Sequence, residues 1–200
     1  TYAQVVAGGE SLSNTIIAGV VPQAEVVDNY AVAQGSFITD FDYAARSRVA
    51  VLGSEVAKTI FGEMDPAGQS LRIGGRQFQV SGVLESRGTG FGMEDMRVYI
   101  PLSTFYATLA TSQVGSRGNG VSTISVKAKS SDDLESADQE VTAILRRAHG
   151  IREGESDDFR VISVESVARQ VTQVLGIIQL VLAGIAGISL LVGGIGIMNI

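Results

Sequence analysis

The side chains that could carry acid–base or nucleophilic chemistry are sparse in this sequence. His149 is the single histidine, and there is no cysteine. His149 stands at the polar end of an amphipathic segment, where an imidazolium would favour the C-terminus of a helix. No set of nucleophile, base and acid can be assembled around it. The sequence therefore predicts no catalytic site. The alternative is an enzyme tethered to a membrane. Hydrolytic activity of the isolated polar part of the chain, residues 1 to about 165, would favour that alternative.

An acidic run follows His149. Glu153, Glu155, Asp157 and Asp158 supply the carboxylates that calcium prefers. Their spacing lacks the alternating ligands and central glycine of a helix–loop–helix calcium site. Without cysteine there is no thiolate metal site and no disulfide. We expect a solvated loop, with no metal and no other cofactor in this segment.

Three glycines, Gly88, Gly90 and Gly92, are the residues most like a phosphate-binding loop. A P-loop needs lysine and then serine or threonine after its last glycine, and a dinucleotide loop needs G-x-G-x-x-G at the start of a helix. Here Gly92 is followed by Met93-Glu94-Asp95, whose carboxylates would repel a phosphate. Nucleotide chemistry is therefore expected in another segment or another chain.

The net charge of the chain indicates which kinds of molecule it would bind poorly. Fifteen lysine and arginine residues against twenty-one acidic residues give a formal net charge of -6 over 200 residues. Nucleic acid and anionic lipid both need clustered cations, so neither is an expected partner. The length suits one domain or two small ones.

The apolar end of the chain predicts a transmembrane helix. No charged side chain occurs in residues 170–200, and from Val174 onward most residues are Ile, Leu, Val, Ala or Gly. About 20 helical residues cross a hydrocarbon core of about 30 Å. A buried core helix is the alternative, but such a helix usually carries a polar stripe. Ser163 is a candidate cap for a helix that begins near Glu165, so the membrane helix would extend outward as a stalk.

The apolar run contains glycines and one asparagine. Six of these residues are candidate helix-packing or coupling positions: Gly184, Gly187, Gly193, Gly194, Gly196 and Asn199. Glycine allows close helix packing or local distortion, although it is also simply common in membrane helices. An asparagine at membrane depth would need a polar partner.

Strand and helix signals alternate before the apolar run. A β-branched run predicts a strand at residues 15–21, and residues 26–39 are expected to form a loop. Residues 49–52 are predicted as a short apolar strand. Ser54 is the expected N-cap of a helix at residues 55–61.

A β-hairpin is the clearest local feature. Apolar and polar residues alternate over residues 71–80 on both sides of Gly74-Gly75, which supplies the two positive-φ positions of a tight turn. The period slips at Gly82, so we expect a bulge or a bend there. A strand is predicted at residues 97–100, and a helix capped by Ser103 is predicted to run through residue 109.

A β-α-β unit is predicted after a glycine-rich linker at residues 115–120. Its strands are expected at residues 123–128 and 159–164, and its helix at residues 132–149. The helix has acidic residues near its N-terminus and basic residues near its C-terminus, which suits the helix dipole.

Several ordered segments together indicate a family. The sequence resembles the MacB-like, FtsX-type permeases of ABC transporters in RVAVLGSEVA (48–57), IFG (60–62), DPAGQSLRI (65–73), FQVSGVLE (78–85), VYIPLST (98–104) and GGIGIMNI (193–200). No single segment is diagnostic. The ordered set, followed by a spanning helix, is specific.

The resemblance implies an α+β fold with a two-part extracytoplasmic domain. A porter-like β-α-β subdomain would comprise residues 1–45 and 110–165, and an inserted β-rich subdomain would comprise residues 46–109. Residues 166–200 would form the stalk and transmembrane helix. The protein would lie in the inner (plasma) membrane, with residues 1 to about 165 in the periplasm.

The function implied by the resemblance is mechanical. ATP-driven closure of a cytoplasmic ABC ATPase, which holds ATP-Mg, would move the outer domain of a homodimeric or paired permease and drive efflux. The coupling element would be the stalk, residues 163–174, with Val171 as the candidate coupling position. Proline near Val171 would kink the helix and is expected to uncouple ATP hydrolysis from transport. A periplasmic adaptor and an outer-membrane channel are further candidate partners. The alternative is a tethered signalling or structural domain, such as an FtsX-type activator of cell-wall hydrolases.

Overall fold

Alternating apolar residues build a β-sheet in the first half of the chain. The structure, a computed structural model, describes residues 1–88, 93–109 and 120–198. Among these residues the sheet has seven strands: β1 (Tyr2–Ala7), β2 (Glu10–Val20), β3 (Val32–Gly35), β4 (Val49–Leu52), β5 (Ser70–Ile73), β6 (Arg76–Leu84) and β7 (Arg97–Pro101). The chain divides into two compact units, Thr1–Lys127 and Ala128–Ile200, and the sheet belongs to the first.

Helices follow the strands in the first unit and dominate the second. The described helices are α1 (Ala24–Val27), α2 (Asp40–Ala45), α3 (Ser54–Phe61), α4 (Leu102–Thr108), α5 (Leu134–His149) and α6 (Val164–Met198). Short 3₁₀ turns occupy Met93–Met96 and Ser131–Asp133.

The strand pairings close into a ring. The order is β3-β6-β4-β7-β2-β1-β5, and β5 also pairs with β6. The first half of β6 pairs with β5, and its second half pairs with β3 along the same edge. The pairs β2–β7 and β4–β6 are parallel, and the other pairs are antiparallel.

The main core lies on the inner side of this ring. Side chains that alternate along β5 and β6 are buried there, and α3 packs Val56, Ile60 and Phe61 against the same cluster. A second cluster covers the other face of β4 and β7, where Val51 and Tyr99 are buried. Because β4 is buried on both faces, its four residues are all apolar.

Most local predictions in the first unit are confirmed. The strand at residues 15–21 lies largely within β2, and β4 has the predicted bounds. The β5–β6 turn has positive φ at both glycines, 54° at Gly74 and 80° at Gly75. The β4–β6 register shifts beside Gly82, where a Cβ would stand 2.6 Å from the Ser36 carbonyl oxygen. This is the predicted bulge.

Three predictions in this unit are wrong in detail. Residues 26–39, expected as a loop, contain the end of α1 and the edge strand β3, whose partner β6 lies about 50 residues later in the chain. Helix α3 has Gly53 at its N-cap position, and α4 has Pro101 there, with no side-chain cap hydrogen bond in either case. Ser103 Oγ instead donates to the Tyr43 carbonyl oxygen, at 2.5 Å.

The β-α-β prediction is correct for its helix and wrong for its strands. Helix α5 ends at His149, and Gly150 follows it with φ 70°. Described residues 120–163 contain no strand. Exposed β-branched residues occur in both predicted strands, among them Ile124, Val126 and Ile162. β-branched side chains favour a strand only where another strand pairs with it, and these segments lie outside the sheet.

The predicted boundary between subdomains, at residues 45 and 46, falls within the sheet. Strands β1–β3 come from one side of it and β4–β7 from the other. Residues 110–119 lie outside the described residues, and so does most of the expected linker at residues 115–120. The division into two subdomains stays a prediction.

Candidate coupling helix and its anchoring loop

Helix α6 is the most unusual element of the described chain. It runs without a break from Val164 to Met198, 35 residues, which corresponds to about 52 Å. Its segment Val171–Leu190 has a mean hydropathy of 2.0, and none of it is buried within the protein. A helix that is apolar on all sides needs lipid or other helices around it. By length and composition, this segment is a candidate membrane span.

The predicted coupling residues all fall on this helix or just after it. Val171 is the first residue of the apolar span and is exposed. A Cβ at Gly184 or Gly187 would meet nothing within 4 Å, so the helix surface at both positions is open. Gly193, Gly194 and Gly196 lie in the last turns of α6, and Asn199 lies outside the described residues.

The acidic run after α5 is exposed, as expected, but its carboxylates have specific partners. Asp157 forms an ion pair with Arg146, and Asp158 Oδ1 lies 2.7 Å from Nδ1 of His149. Glu155 Oε2 accepts a hydrogen bond from the Arg152 amide at 2.9 Å. No group of three or more potential metal ligands occurs among the described residues. The run is thus a loop anchored to the end of α5.

The carboxylate of Asp95 also holds residues 86–88, where the glycine segment that begins at Gly88 starts. Asp95 accepts hydrogen bonds from Ser86 Oγ at 2.8 Å, the Arg87 amide at 3.1 Å and the Gly88 amide at 3.2 Å. Burial alone would raise the pKa of Asp95, but these hydrogen bonds outweigh it and hold the pKa below its usual range. The protein's own anion thus occupies two amides at the start of this glycine segment, those of Arg87 and Gly88. Residues 89–92 lie outside the described residues.

Arg87 connects this loop to the end of α1. Its guanidinium forms a 2.8 Å ion pair with Glu94 and donates to the carbonyl oxygens of Asp28, at 2.6 Å, and Asn29. It also lies 4.9 Å from the centre of the Tyr30 ring. Burial raises the pKa of Tyr30. Sequence reasoning did not single out Arg87 or Arg146, because both depend on partners that the fold brings to them.

Comparison with known proteins identifies the family. The model of the MacB-like periplasmic core domain matches residues 1–144. The chain belongs to this family. The resemblance seen in the sequence is thereby confirmed, and the MacB-like domain is a permease domain of ABC transporters rather than a catalytic one.

Curated relatives of this MacB-like chain are ABC transporter permeases. It is 35% identical over 189 residues to the macrolide export ATP-binding/permease protein MacB of Rhodospirillum rubrum, covering 93% of this chain and 27% of that protein. It is 32% identical over 175 residues to the uncharacterized ABC transporter permease YknZ of Bacillus subtilis, covering 87% and 41%. A pyoverdine export ATP-binding/permease protein, PvdT of Pseudomonas savastanoi pv. phaseolicola, is 33% identical over 175 residues, covering 86% and 25%. The chain spans less than half the length of each.

Solved structures share the fold. The periplasmic region of MacB from Actinobacillus actinomycetemcomitans matches with a TM-score of 0.68 at 22% identity, covering 86% of this chain and 72% of that one. The extracellular domain of the noncanonic ABC-type transporter YknZ from Gram-positive bacteria matches with a TM-score of 0.62 at 23% identity, covering 76% and 74%. The MacB-like chain therefore has a mixed α/β fold followed by an apolar helix.

Proposed function

We propose that this chain is the outer domain and the following membrane helix of an ABC exporter permease, and that α6 passes ATP-driven motion to the outer domain. The observation that carries the proposal is the continuity of α6. Seven residues, 164–170, precede the apolar span and extend the same helix by about 10 Å. One helix would then reach from the membrane into the outer domain.

The composition of α6 supports a stiff element. Sharp helix kinks usually arise at proline, at Gly/Ser pairs, at π-bulges or at inserted side chains and waters, and the outer part of α6, residues 164–175, contains neither proline nor glycine. The three prolines of the chain, Pro22, Pro66 and Pro101, all lie outside α6. A displacement of the membrane part would thus move the outer end as well. Gly184 and Gly187 would allow the other permease helices to pack closely against α6.

We propose the remaining parts of the assembly from the family resemblance. The cytoplasmic ABC ATPase would hold ATP-Mg, and a second permease copy would complete the transporter. We further propose an inner-membrane location with residues 1 to about 165 in the periplasm, and the two-part division of the outer domain. A periplasmic adaptor and an outer-membrane channel complete the proposed pathway. Relatives are named for macrolide and pyoverdine export, two chemically unlike cargoes, so we propose export without assigning a cargo.

The topology can be tested with two matched positions. Phe41 on α2 and Leu180 on α6 are each 75% exposed in the structure, and the chain has no cysteine. In spheroplasts carrying the full-length protein, a membrane-impermeant maleimide is expected to label Phe41→Cys and not Leu180→Cys. Equal labelling of both would contradict a membrane span in α6.

The coupling partner can be tested by purification. Full-length protein isolated in mild detergent is expected to carry vanadate-sensitive ATP hydrolysis, from a fused or a separate ATPase. A preparation that contains a cell-wall hydrolase and no ATPase would overturn the exporter proposal and favour an activator of the FtsX type.

A further inference from the structure

The connection between α5 and α6 is short and anchored. Residues 150–158 form a loop, here called the joint, and only residues 159–163 separate it from the first turn of α6. Gly150 and Gly154 both have positive φ, 70° and 89°. Glycine adds backbone freedom, so the joint would be flexible if nothing held it.

Arg146, in the last turn of α5, holds the joint at three points. Its guanidinium pairs with the Asp157 carboxylate, and it donates to the carbonyl oxygens of Arg152 at 2.7 Å and Glu155 at 3.1 Å. The side chains of Arg146 and Asp157 are about one quarter and one third exposed, so water screens the pair only partly. The planar guanidinium suits several acceptors at once, which an ammonium could not match.

His149 holds the far end of the joint. Its Nδ1 lies 2.7 Å from Asp158 Oδ1, and its ring meets Phe159 edge-to-face with centroids 5.7 Å apart. The start of the joint is fixed by the Ile151 amide, which donates to the Arg146 carbonyl oxygen at 2.9 Å. The last turn of α5 therefore contacts the joint at its beginning, middle and end.

These contacts with α5 limit how far the joint can extend. Nine unanchored residues can extend to about 30 Å and would absorb a displacement of a few ångströms at α6. Anchored to α5, the loop itself has little slack, so a shift at the start of α6 reaches α5 through residues 159–163 alone. We infer that Arg146 and His149 make the joint a rigid mechanical link through which α6 moves α5. The inference rests on the proposed function, which supplies the motion.

Distance measurements across the joint test its rigidity. Nitroxide labels at Glu140→Cys on α5 and Val174→Cys on α6 would report the α5–α6 distance in the full-length protein, reconstituted in nanodiscs with any cysteines outside this segment replaced by serine. Double electron–electron resonance should give a narrow distribution in the ATP-free and vanadate-trapped states. Arg146→Ala should broaden it in both states. In a separate measurement, the same variant should lose most of the ATP-driven change in distance between Phe41→Cys labels in the two permease copies.

Arg147 provides the matched control. It lies on the same turn of α5 and carries the same charge, and its side chain has no hydrogen bond or ion pair among the described residues. Arg147→Ala should keep the narrow distribution. Asp157→Asn should act like Arg146→Ala, and because it leaves the sequence of α5 intact, unfolding of α5 would not explain the result.

The outcomes separate the joint from the proposed function. Equal widths for Arg146→Ala and Arg147→Ala would overturn the rigid link, whether or not the protein exports anything. Absence of ATP-driven motion in the unmodified protein would overturn the proposed function, while the widths in the ATP-free state still decide whether Arg146 holds the joint.

Discussion

Proline at Val171 is the most direct perturbation of the proposed coupling helix. Proline removes the hydrogen bond from residue 171 to the carbonyl of residue 167, and its ring clashes with that carbonyl, at a cost of about 3 kcal/mol. The usual response is a kink of about 20° or more. The seven residues of α6 before Val171 form a lever of about 10 Å, so the outer end of α6 would shift by about 3.5 Å.

The expected result of Val171→Pro is ATP hydrolysis without motion of the outer domain. The assay compares vanadate-sensitive ATP hydrolysis with the ATP-driven change in distance between the Phe41→Cys labels of the two permease copies in the full-length protein. The kinked helix should lose most of this change, because its outer end no longer follows the membrane part.

Two controls isolate the kink. Val164→Pro makes the same replacement at the first residue of α6, where proline is tolerated because no helical hydrogen bond is lost. Val171→Ala removes the side chain without altering the backbone. Both should behave like the unmodified protein. If Val171→Pro also keeps the full distance change, α6 does not transmit motion as a rigid rod.

Three further predictions concern packing and charge. Gly53→Ala should destabilise the outer domain by about 1–3 kcal/mol in urea unfolding, because its Cβ would stand 2.5 Å from the carbonyl oxygens of Glu94 and Asp95. At Gly120 a Cβ would meet no atom of the described residues within 4 Å, so Gly120→Ala should be neutral. Asp95→Asn should cost stability at pH 7, and this cost should shrink as the pH falls below about 4. A lowered pKa means that the carboxylate stabilises the fold above the unfolded-state pKa of about 4, and that this stabilisation is lost as the pH falls through the folded-state value. A gap between the urea midpoints of the two proteins that is independent of pH would contradict this. Gly187→Leu should leave the outer domain folded but reduce the ATP-driven distance change, because a large side chain would keep neighbouring membrane helices apart; an unaltered change would exclude close packing at this position.

Local features were predictable from the sequence where neighbouring residues determine them. The β5–β6 hairpin depends on Gly74-Gly75 and on alternation within ten residues, and α5 depends on its own apolar face and on Gly150. The length of the apolar run and its lack of charged side chains likewise indicated α6. These signals are contained within single elements.

Features that depend on distant partners were not predictable. The edge strand β3 exists because β6 pairs with it, and the segments near Ile124 and Ile162 are not strands because nothing in the described sheet pairs with them. The same holds for side chains. Arg87 matters because the fold places the end of α1 beside it, and Ser103 bonds to Tyr43 instead of capping α4. Composition alone could not reveal these contacts.

The central claim is that ATP-driven motion reaches the outer domain through α6. The most direct test is the distance between the Phe41→Cys labels of the two permease copies in the otherwise unmodified full-length protein, measured by double electron–electron resonance without nucleotide and after vanadate trapping. The account predicts distinct distance distributions in the two states. Identical distributions in a preparation that hydrolyses ATP would contradict it.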